Sequence, residues 1–376
     1  MTTPEPDAPK PTVWILGAGF SKGLGGPLIK DLLAHREKEV LDSLYPSTEY
    51  PLVADEVFKA RLFYNWGQKR GYWENAEQFL DIVESAAAET HVPLSYAHSL
   101  LSSMRRRTVH HPEMEQRVQG SGRVREVIQA PGPVFEFETL TEMATACRRA
   151  LAVDCSVFLR AAQLESERWS PYRDWARSLG PRDTVVTFNY DHVPEILETD
   201  LKNHLSVIDP EDVDDDLEEV KTKRMTPVLK VHGSVTWRRD GKRIKVVPLG
   251  DRAIGDPRED PVIGLPGPGK RTLVRDVLKA LWKAALHAIE NAGHLIFVGY
   301  RFPPTDADSR TDLLSTLSQN RFRGQGPSVH TVLGPDVNSP DSTRLMRLLE
   351  ASTRGPLKAV PLFAEDYIGL HHLLDL

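Results

Sequence analysis

Short apolar runs recur along the chain, each stopping abruptly at a glycine or a polar tip. They read TVWIL at 12–16, DTVVTF at 183–188, VLKV at 228–231, IKVVPL at 244–249, HLIFV at 294–298, VHTVL at 329–333 and AVPLF at 359–363. Runs of this length without polar alternation belong to strands buried on both faces. Between two of them, Leu273, Val274, Val277, Leu278, Leu281, Ala285 and Ile289 keep one face apolar until Gly293, the pattern of an amphipathic helix and its stop. Parallel strands need long crossovers, usually helical, so this alternation predicts a mostly parallel sheet covered on both faces. No internal repeat is visible.

One stretch breaks the alternation. Residues 31–169 carry long amphipathic patterns, few β-branched runs and many aromatics, among them Phe58, Phe63, Tyr64, Trp66, Tyr72, Trp73 and Phe79. A large, mainly helical insertion is therefore expected there, dividing one α/β domain into residues 12–30 and 170–376. Residues 1–11, rich in Pro, Thr and acid, are expected to form a flexible tail with no secretory signal pattern. Cys147 and Cys155 share a near-helical apolar pattern with Leu140, Met143, Leu151 and Phe158, so they are expected as buried thiols and not as a disulfide or zinc ligands.

Charge excludes some partners. The formal net charge is -6, which gives no global attraction to nucleic acid or anionic lipid, and no apolar run is long enough to span a bilayer. A cytoplasmic location is the expectation. Residues 209–219 hold eight acidic residues in eleven and are expected as a solvated loop. A basic stretch runs from Arg105, Arg106 and Arg107 through His110 and His111 to Arg117, Arg123 and Arg125, and is expected as a surface loop of the insertion. No histidine has carboxylate or cysteine partners at metal-ligand spacing, so no metal site is expected.

In an open α/β sheet the ligand lies at the carboxyl ends of the strands. Four of those ends are unusually polar: Gly17-Ala18-Gly19-Phe20-Ser21, then Phe188-Asn189-Tyr190-Asp191, then His232-Gly233-Ser234, and finally Gly299-Tyr300-Arg301-Phe302-Pro303-Pro304-Thr305-Asp306. The first has two readings. Gly19-x-Ser21-x-Gly23 spells the nucleophile elbow of a serine hydrolase, but the few residues before Gly17 leave no room for an upstream oxyanion loop, and Asp240-Gly241 is only a partial match to the dyad partner of a patatin-like lipase. Gly17-x-Gly19-x-Ser21 instead spells a phosphate-cradling turn, followed by Gly25-Gly26-Pro27 and a helix expected from Leu28, Ile29, Leu32 and Leu33. A dehydrogenase fingerprint would need glycine at 22, where Lys22 stands.

Taken in order, the four tips resemble the sirtuin superfamily, specifically its bacterial NAD-hydrolysing branch. GAGFS resembles the GAG-x-S phosphate loop, FNYD the catalytic (Q/F)N-(I/Y)-D motif, KVHGS the catalytic His-Gly, and VGYRFPPTD the late segment that holds the adenosine half. The resemblance covers residues 12–30 and parts of 183–306, and the insertion lies outside it. It implies a Rossmann-like α/β sheet and NAD as substrate, with Asn189 and His232 catalytic and Gly17, Ala18, Gly19, Phe20, Ser21, Asp191, Gly233, Ser234, Gly299, Tyr300 and Arg301 binding the dinucleotide. Residue chemistry is compatible: small residues at 17–19 let backbone N–H groups approach a pyrophosphate, Asn189 can orient a ribose hydroxyl or a water, and His232 can accept a proton. Asp191 could hold the nicotinamide carboxamide. Plain structural readings stand beside these, with Asn189 and Asp191 as caps of a helix starting near His192 and His232 as a turn histidine.

Two departures from protein-deacylating sirtuins bear on the acceptor. Two lone cysteines cannot supply the paired Cys-x-x-Cys zinc module, and the arginine that follows the deacylase phosphate loop has no counterpart in Gly26-Pro27-Leu28-Ile29-Lys30. Water is thus the expected acceptor. The branch implies an effector of bacterial anti-phage defence acting by NAD depletion, a homo-oligomer, and a regulatory protein partner. A non-catalytic NAD or ADP-ribose sensor and a serine esterase using Ser21 are the other readings.

Overall fold

The computed structural model describes residues 10–34, 53–88, 101, 139–162, 167–241, 243–247, 261–265, 270, 273–303, 306–320 and 326–370. Seven strands form one sheet: β1 (Thr12–Leu16), β2 (Thr184–Thr187), β3 (Leu205–Val207), β4 (Thr226–Lys230), β8 (His294–Val298), β9 (Ser328–Val332) and β10 (Leu357–Ala359). Their order is β10-β9-β8-β1-β2-β4-β3, and every pairing is parallel. Strand β1 is central, with Val13 opposite Thr184 on one side and Leu295 on the other. The chain builds first on the β2 side and later on the β8 side, a reversal that opens a crevice outside the carboxyl end of β1.

Alternation within β1 explains why its run is apolar throughout. Val13 and Ile15 enter one core, where they meet α6 (Val213–Lys223), α7 (Lys279–Asn291), α8 (Ala307–Asn320) and α9 (Pro340–Ser352) through Val220, Leu281, Leu313 and Leu345. Trp14 and Leu16 enter the opposite core, against α4 (Ser170–Ser178), α5 (Val193–Asp200) and α10 (Ala364–Leu370). There Trp14 lies edge-on to Trp175 at 5.5 Å. The architecture is a Rossmann-like α/β sandwich. Among the described residues no helix is long and apolar enough to cross a membrane.

The described part of the insertion is helical: α1 (Val53–Gln68), α2 (Ala76–Ala88) and α3 (Leu140–Ala161). Thr139 and Glu142 cap α3 reciprocally, each side chain accepting from the other's N–H. Cys147 and Cys155 are buried thiols on α3, and burial pushes the Cys147 thiol up. The aromatics Phe63, Tyr64, Trp73 and Phe79 form the interior of this layer together with Val235, Ile263 and Leu265. Val235 and Ile263 come from a small antiparallel sheet of β5 (Gly233–Asp240), β6 (Arg243–Val246) and β7 (Pro261–Ile263), ordered β6-β5-β7, and Leu265 lies just beyond β7. The layer also grips the chain that leaves the glycine turn. Leu33, at φ 56°, gives its N–H to Asp154 at 2.8 Å, and its carbonyl accepts from Asn65 at 3.1 Å. Arg61 donates to Ala34 O, to Ala150 O and to Asp154, in an ion pair whose side chains are each 1% exposed.

Several expectations are corrected. No α-helix follows the glycine turn within residues 17–34, only short 3-10 turns at Lys22–Leu24 and Ile29–Asp31. Gly25 closes the first turn with its N–H on Lys22 O, the Gly26 N–H returns to Ser21 O, and Leu28 is extended. The acidic run is not wholly a loop, because α6 starts at Val213 with Asp214, Asp215 and Asp216 in its first turn, where carboxylates favour the positive helix end. Within the run at 244–249, residues 244–246 belong to the antiparallel sheet and not the parallel one, residues 248 and 249 lie outside the described residues, and the last strand ends at Ala359. Pro11 already accepts from the Gly293 and His294 N–H groups, so the chain is anchored before β1 begins. The Arg-rich stretch, His110, His111, His371 and His372 lie outside the described residues.

The two kinds of ion pair in this fold should respond differently to truncation. Arg61→Met leaves the Asp154 carboxylate buried without its cation and is expected to cost about 3–5 kcal/mol by chemical denaturation. Arg177→Met, which removes an exposed pair with Asp174, should change stability by under about 1 kcal/mol.

Candidate functional site

Four strand ends meet at the carboxyl edge of β1. The glycine turn passes so close to the β8 tip that side chains are excluded: a Cβ on Gly19 would sit 2.6 Å from the Gly299 Cα, and one on Gly17 would sit 2.6 Å from the Tyr300 Cα. Gly299 itself has φ 68°, and its own Cβ would lie 2.4 Å from the Gly19 Cα. The Gly17 N–H continues the sheet onto Val298 O, and the Gly19 N–H reaches Gly299 O. Among the described residues the N–H groups of Ala18 and Ser21 have no protein acceptor, so these two remain for an anionic ligand.

Asn189 locks the turn to the β2 tip. Its side-chain nitrogen donates to Gly17 O at 2.9 Å and to Ser21 Oγ at 3.2 Å, while its oxygen receives no hydrogen bond among the described residues. Ser21 in turn donates to Asp191 Oδ2 at 2.7 Å, and Asp191 Oδ1 accepts from the Val193 N–H at the start of α5. Burial raises the Asp191 carboxyl above its ordinary range, against the pull of Lys230 and the Ser21 hydrogen bond. Asp191 therefore does cap its helix, whereas Asn189 serves the glycine turn. Both Asp191 oxygens are engaged within the protein, which makes it the support of Ser21.

Beneath this lies a buried polar group that the motifs did not reveal. Lys230, fully buried, donates to Asp191 O at 2.6 Å and to Glu195 Oε1 at 2.7 Å. Ser234 and Thr236 also donate to Glu195 Oε1, at 3.0 and 3.2 Å. Ser234 is thus a member of this support and fully buried. A lysine inside the otherwise apolar run VLKV was the available signal, since a buried ammonium demands a carboxylate partner.

His232 sits on the other side of Phe188. Its ring meets Phe188 edge-on at 4.6 Å, Phe188 stacks on Tyr300 at 4.0 Å, and His232 Nε2 lies 3.2 Å from Ser309 Oγ on α8. Tyr300 donates to Asp306 Oδ2 at 3.1 Å, and Asp306 is ion-paired with Lys270 in the interior. Burial pushes the His232 ring down to about 3; Lys270 adds to that shift and Asp306 opposes it. The ring is neutral near pH 7. Burial works to raise the Asp306 carboxyl, but Lys270 and its hydrogen bonds hold it below the ordinary value.

Other expected site residues stand apart from this cluster. The Phe20 ring is core, edge-on to Tyr172 at 5.2 Å and to Trp175 at 5.0 Å. Gly233 opens β5 at φ 92°, where a Cβ would strike Val262 O at 2.0 Å. Arg301 is exposed and pairs with Asp341 of α9 at 3.0 Å. Pro304 and Thr305 lie outside the described residues. Ser21 has φ -84° and ψ -3°, without the strained backbone of a nucleophile elbow, and Asp240 lies exposed at the β5–β6 turn. Among the described residues no His, Cys, Asp and Glu side chains group as metal ligands.

Fold and site together define a Rossmann-like α/β protein with a polar cluster at the switch-point crevice. No protein-family model matches the chain, and no curated protein sequence matches it.

Two outcomes follow from this geometry. Gly299→Ala combines a left-handed φ with contact against the Gly19 backbone and should lower stability by about 2–5 kcal/mol in denaturant titrations. The second concerns acid. His232 at about 3 and His192, lowered by burial to about 4, bind protons more readily once unfolded. Stability is therefore lost as pH falls from about 6.5 toward these values. His232→Gln should flatten that slope in thermal melts taken between about pH 6.5 and 4.5.

Proposed function

We propose that the chain is an NAD glycohydrolase, cleaving the nicotinamide–ribose bond to release nicotinamide and ADP-ribose. The observation that carries this reading is the joining of GAGFS and FNYD at the carboxyl end of β1, where the Ala18 and Ser21 N–H groups and the Asn189 oxygen have no hydrogen-bond partner among the described residues, with the buried His232 reached through Phe188. The sirtuin-like order of these motifs adds the identity of the ligand.

Each group has a task in that reaction. The free N–H groups hold pyrophosphate oxygens without the aid of a helix dipole, since only a 3-10 turn follows. The Asn189 oxygen accepts a hydrogen bond from a ribose hydroxyl or from the attacking water. When the C1′–N bond breaks, its electron pair leaves with nicotinamide, which departs neutral, and the sugar develops oxocarbenium character. A water oxygen then bonds C1′ and gives up its proton, which a neutral His232 can accept. Asp191 keeps Ser21 and the turn in place. For the cellular role, the resemblance supports NAD depletion in bacterial anti-phage defence.

Purified protein mixed with NAD, followed by chromatography of the products, is the direct test. Free nicotinamide and ADP-ribose are expected, and Asn189→Ala and His232→Ala should each lower turnover by roughly 10²–10⁴-fold while leaving circular dichroism unchanged. Binding of NAD without turnover would instead make the chain a sensor. Labelling of Ser21 by a fluorophosphonate would indicate an esterase.

A further inference from the structure

The ladder between β2 and β4 runs out just before the two tips that carry Asn189 and His232. Its last bonds pair Thr187 with Lys230 and bring the Val231 N–H to Thr187 O at 3.1 Å. Beyond that point the chains part. Asn189 reaches toward the glycine turn, whereas Gly233, at φ 92°, starts β5 of the antiparallel sheet. The links that remain are Phe188, whose ring meets the His232 ring edge-on, Lys230, which donates to Asp191 O at 2.6 Å, and Tyr190. Tyr190 stands between Asn189 and Asp191 and is bonded twice to the chain around His232. Its carbonyl accepts from the Val235 N–H at 2.9 Å, and its hydroxyl donates to Gly264 O at 2.6 Å. Gly264, directly after β7, gives its own N–H to His232 O at 2.9 Å. The joint has little slack: a Cβ on Gly264 would lie 3.1 Å from Lys270 Cγ and 3.4 Å from His232 O.

We propose that Tyr190 is a positioning residue whose hydroxyl, through Gly264, fastens the Asn189 tip to the His232 tip and so fixes the separation of the two side chains. The proposal rests on the NAD-cleavage reading, which gives that separation its use. Cleavage there asks the Asn189 oxygen and the His232 ring to serve one sugar and one water, and a misplacement of about 1 Å between such groups costs up to about 10²-fold in rate. Supporting hydrogen bonds are what hold reacting groups within that tolerance. Neither of the other links does the same task. Lys230 holds the main chain of Asp191 from a position two residues before His232, and Phe188 meets the imidazole by ring contact alone. The Tyr190 ring packs against the interior shared with α1, α2 and α3, so the tie is anchored in the helical layer. Its hydroxyl acts on the protein and not on the ligand, because a carbonyl only accepts and Gly264 O takes the one phenolic proton.

Tyr190→Phe removes the hydroxyl and keeps the ring. Its comparator is Thr226→Val, which also removes a hydroxyl bonded to a main-chain carbonyl, Gly180 O at 2.9 Å, but at the amino end of β4, away from the crevice. Both variants are made in the full chain, and thermal melts establish that both are folded at the assay temperature. With NAD as substrate, Tyr190→Phe should lower kcat by roughly 10–100-fold with KM unchanged, and Thr226→Val should alter neither. Nuclear magnetic resonance of the ligand-free protein reports the geometry without turnover, through the His232 ring nitrogens and the Asn189 side-chain amide, assigned by their loss in His232→Gln and Asn189→Ala. Both sets of signals should shift in Tyr190→Phe and stay in place in Thr226→Val. A Tyr190→Phe protein in which either set is unmoved, or whose kcat equals that of Thr226→Val, would overturn the proposal. Signals that shift as stated in a protein that never cleaves NAD would uphold the tie and sink the glycohydrolase reading alone.

Discussion

Everything at the crevice depends on a contact between two stretches of bare backbone. Gly17 and Gly19 on one side and Gly299 on the other approach to distances at which no Cβ fits. The contact joins the two strands between which the sheet changes direction, β1 and β8, so the glycine turn has little freedom to drift from the switch point. Because the turn is anchored by its own N–H groups at 17 and 19, the donors left over are those of Ala18 and Ser21. Glycine here serves backbone-to-backbone packing within the chain first, and the two donors left unpaired among the described residues are a result of it.

The second layer of control is electrostatic and lies one shell deeper. Two buried lysines, Lys230 and Lys270, each meet a carboxylate and each end near a motif residue: Lys230 on the main chain of Asp191, Lys270 beside His232. One fixes where the FNYD loop sits, and the other holds the carboxylate that takes the Tyr300 hydroxyl.

Most of the parallel sheet was legible because its strands are buried on both faces and therefore lack polar alternation. The tips were legible because glycine, asparagine and histidine stand out at the ends of such runs. What failed had local causes. The helix expected after the glycine turn was inferred from Pro27 and four apolar residues, but Gly23, Gly25 and Gly26 favour tight turns, and Leu33 is held in a left-handed conformation by long-range bonds to Asp154 and Asn65 that no local pattern announces. The acidic run read as a loop by charge alone, although three aspartates at a helix start are locally favourable. The second sheet was missed because its strands resemble the buried ones in composition and differ only in partner. Glu195, Lys270 and Ser309 carry no motif and become visible only through tertiary contact.

The grip of the helical layer on Leu33 and Ala34 bears on how the molecule comes apart. Val235 and Ile263, from the small sheet that begins directly after His232, and Leu265 just beyond it share an interior with α1, α2 and α3, and Tyr190 of the FNYD tip packs against it. Cutting the insertion away would leave these apolar faces in water and the Leu33 backbone without acceptors and donors, so the layer is not an appendage that the α/β core could shed. The shared interior therefore couples the two in free energy, so that opening α1–α3 removes packing that holds Val235 and Tyr190.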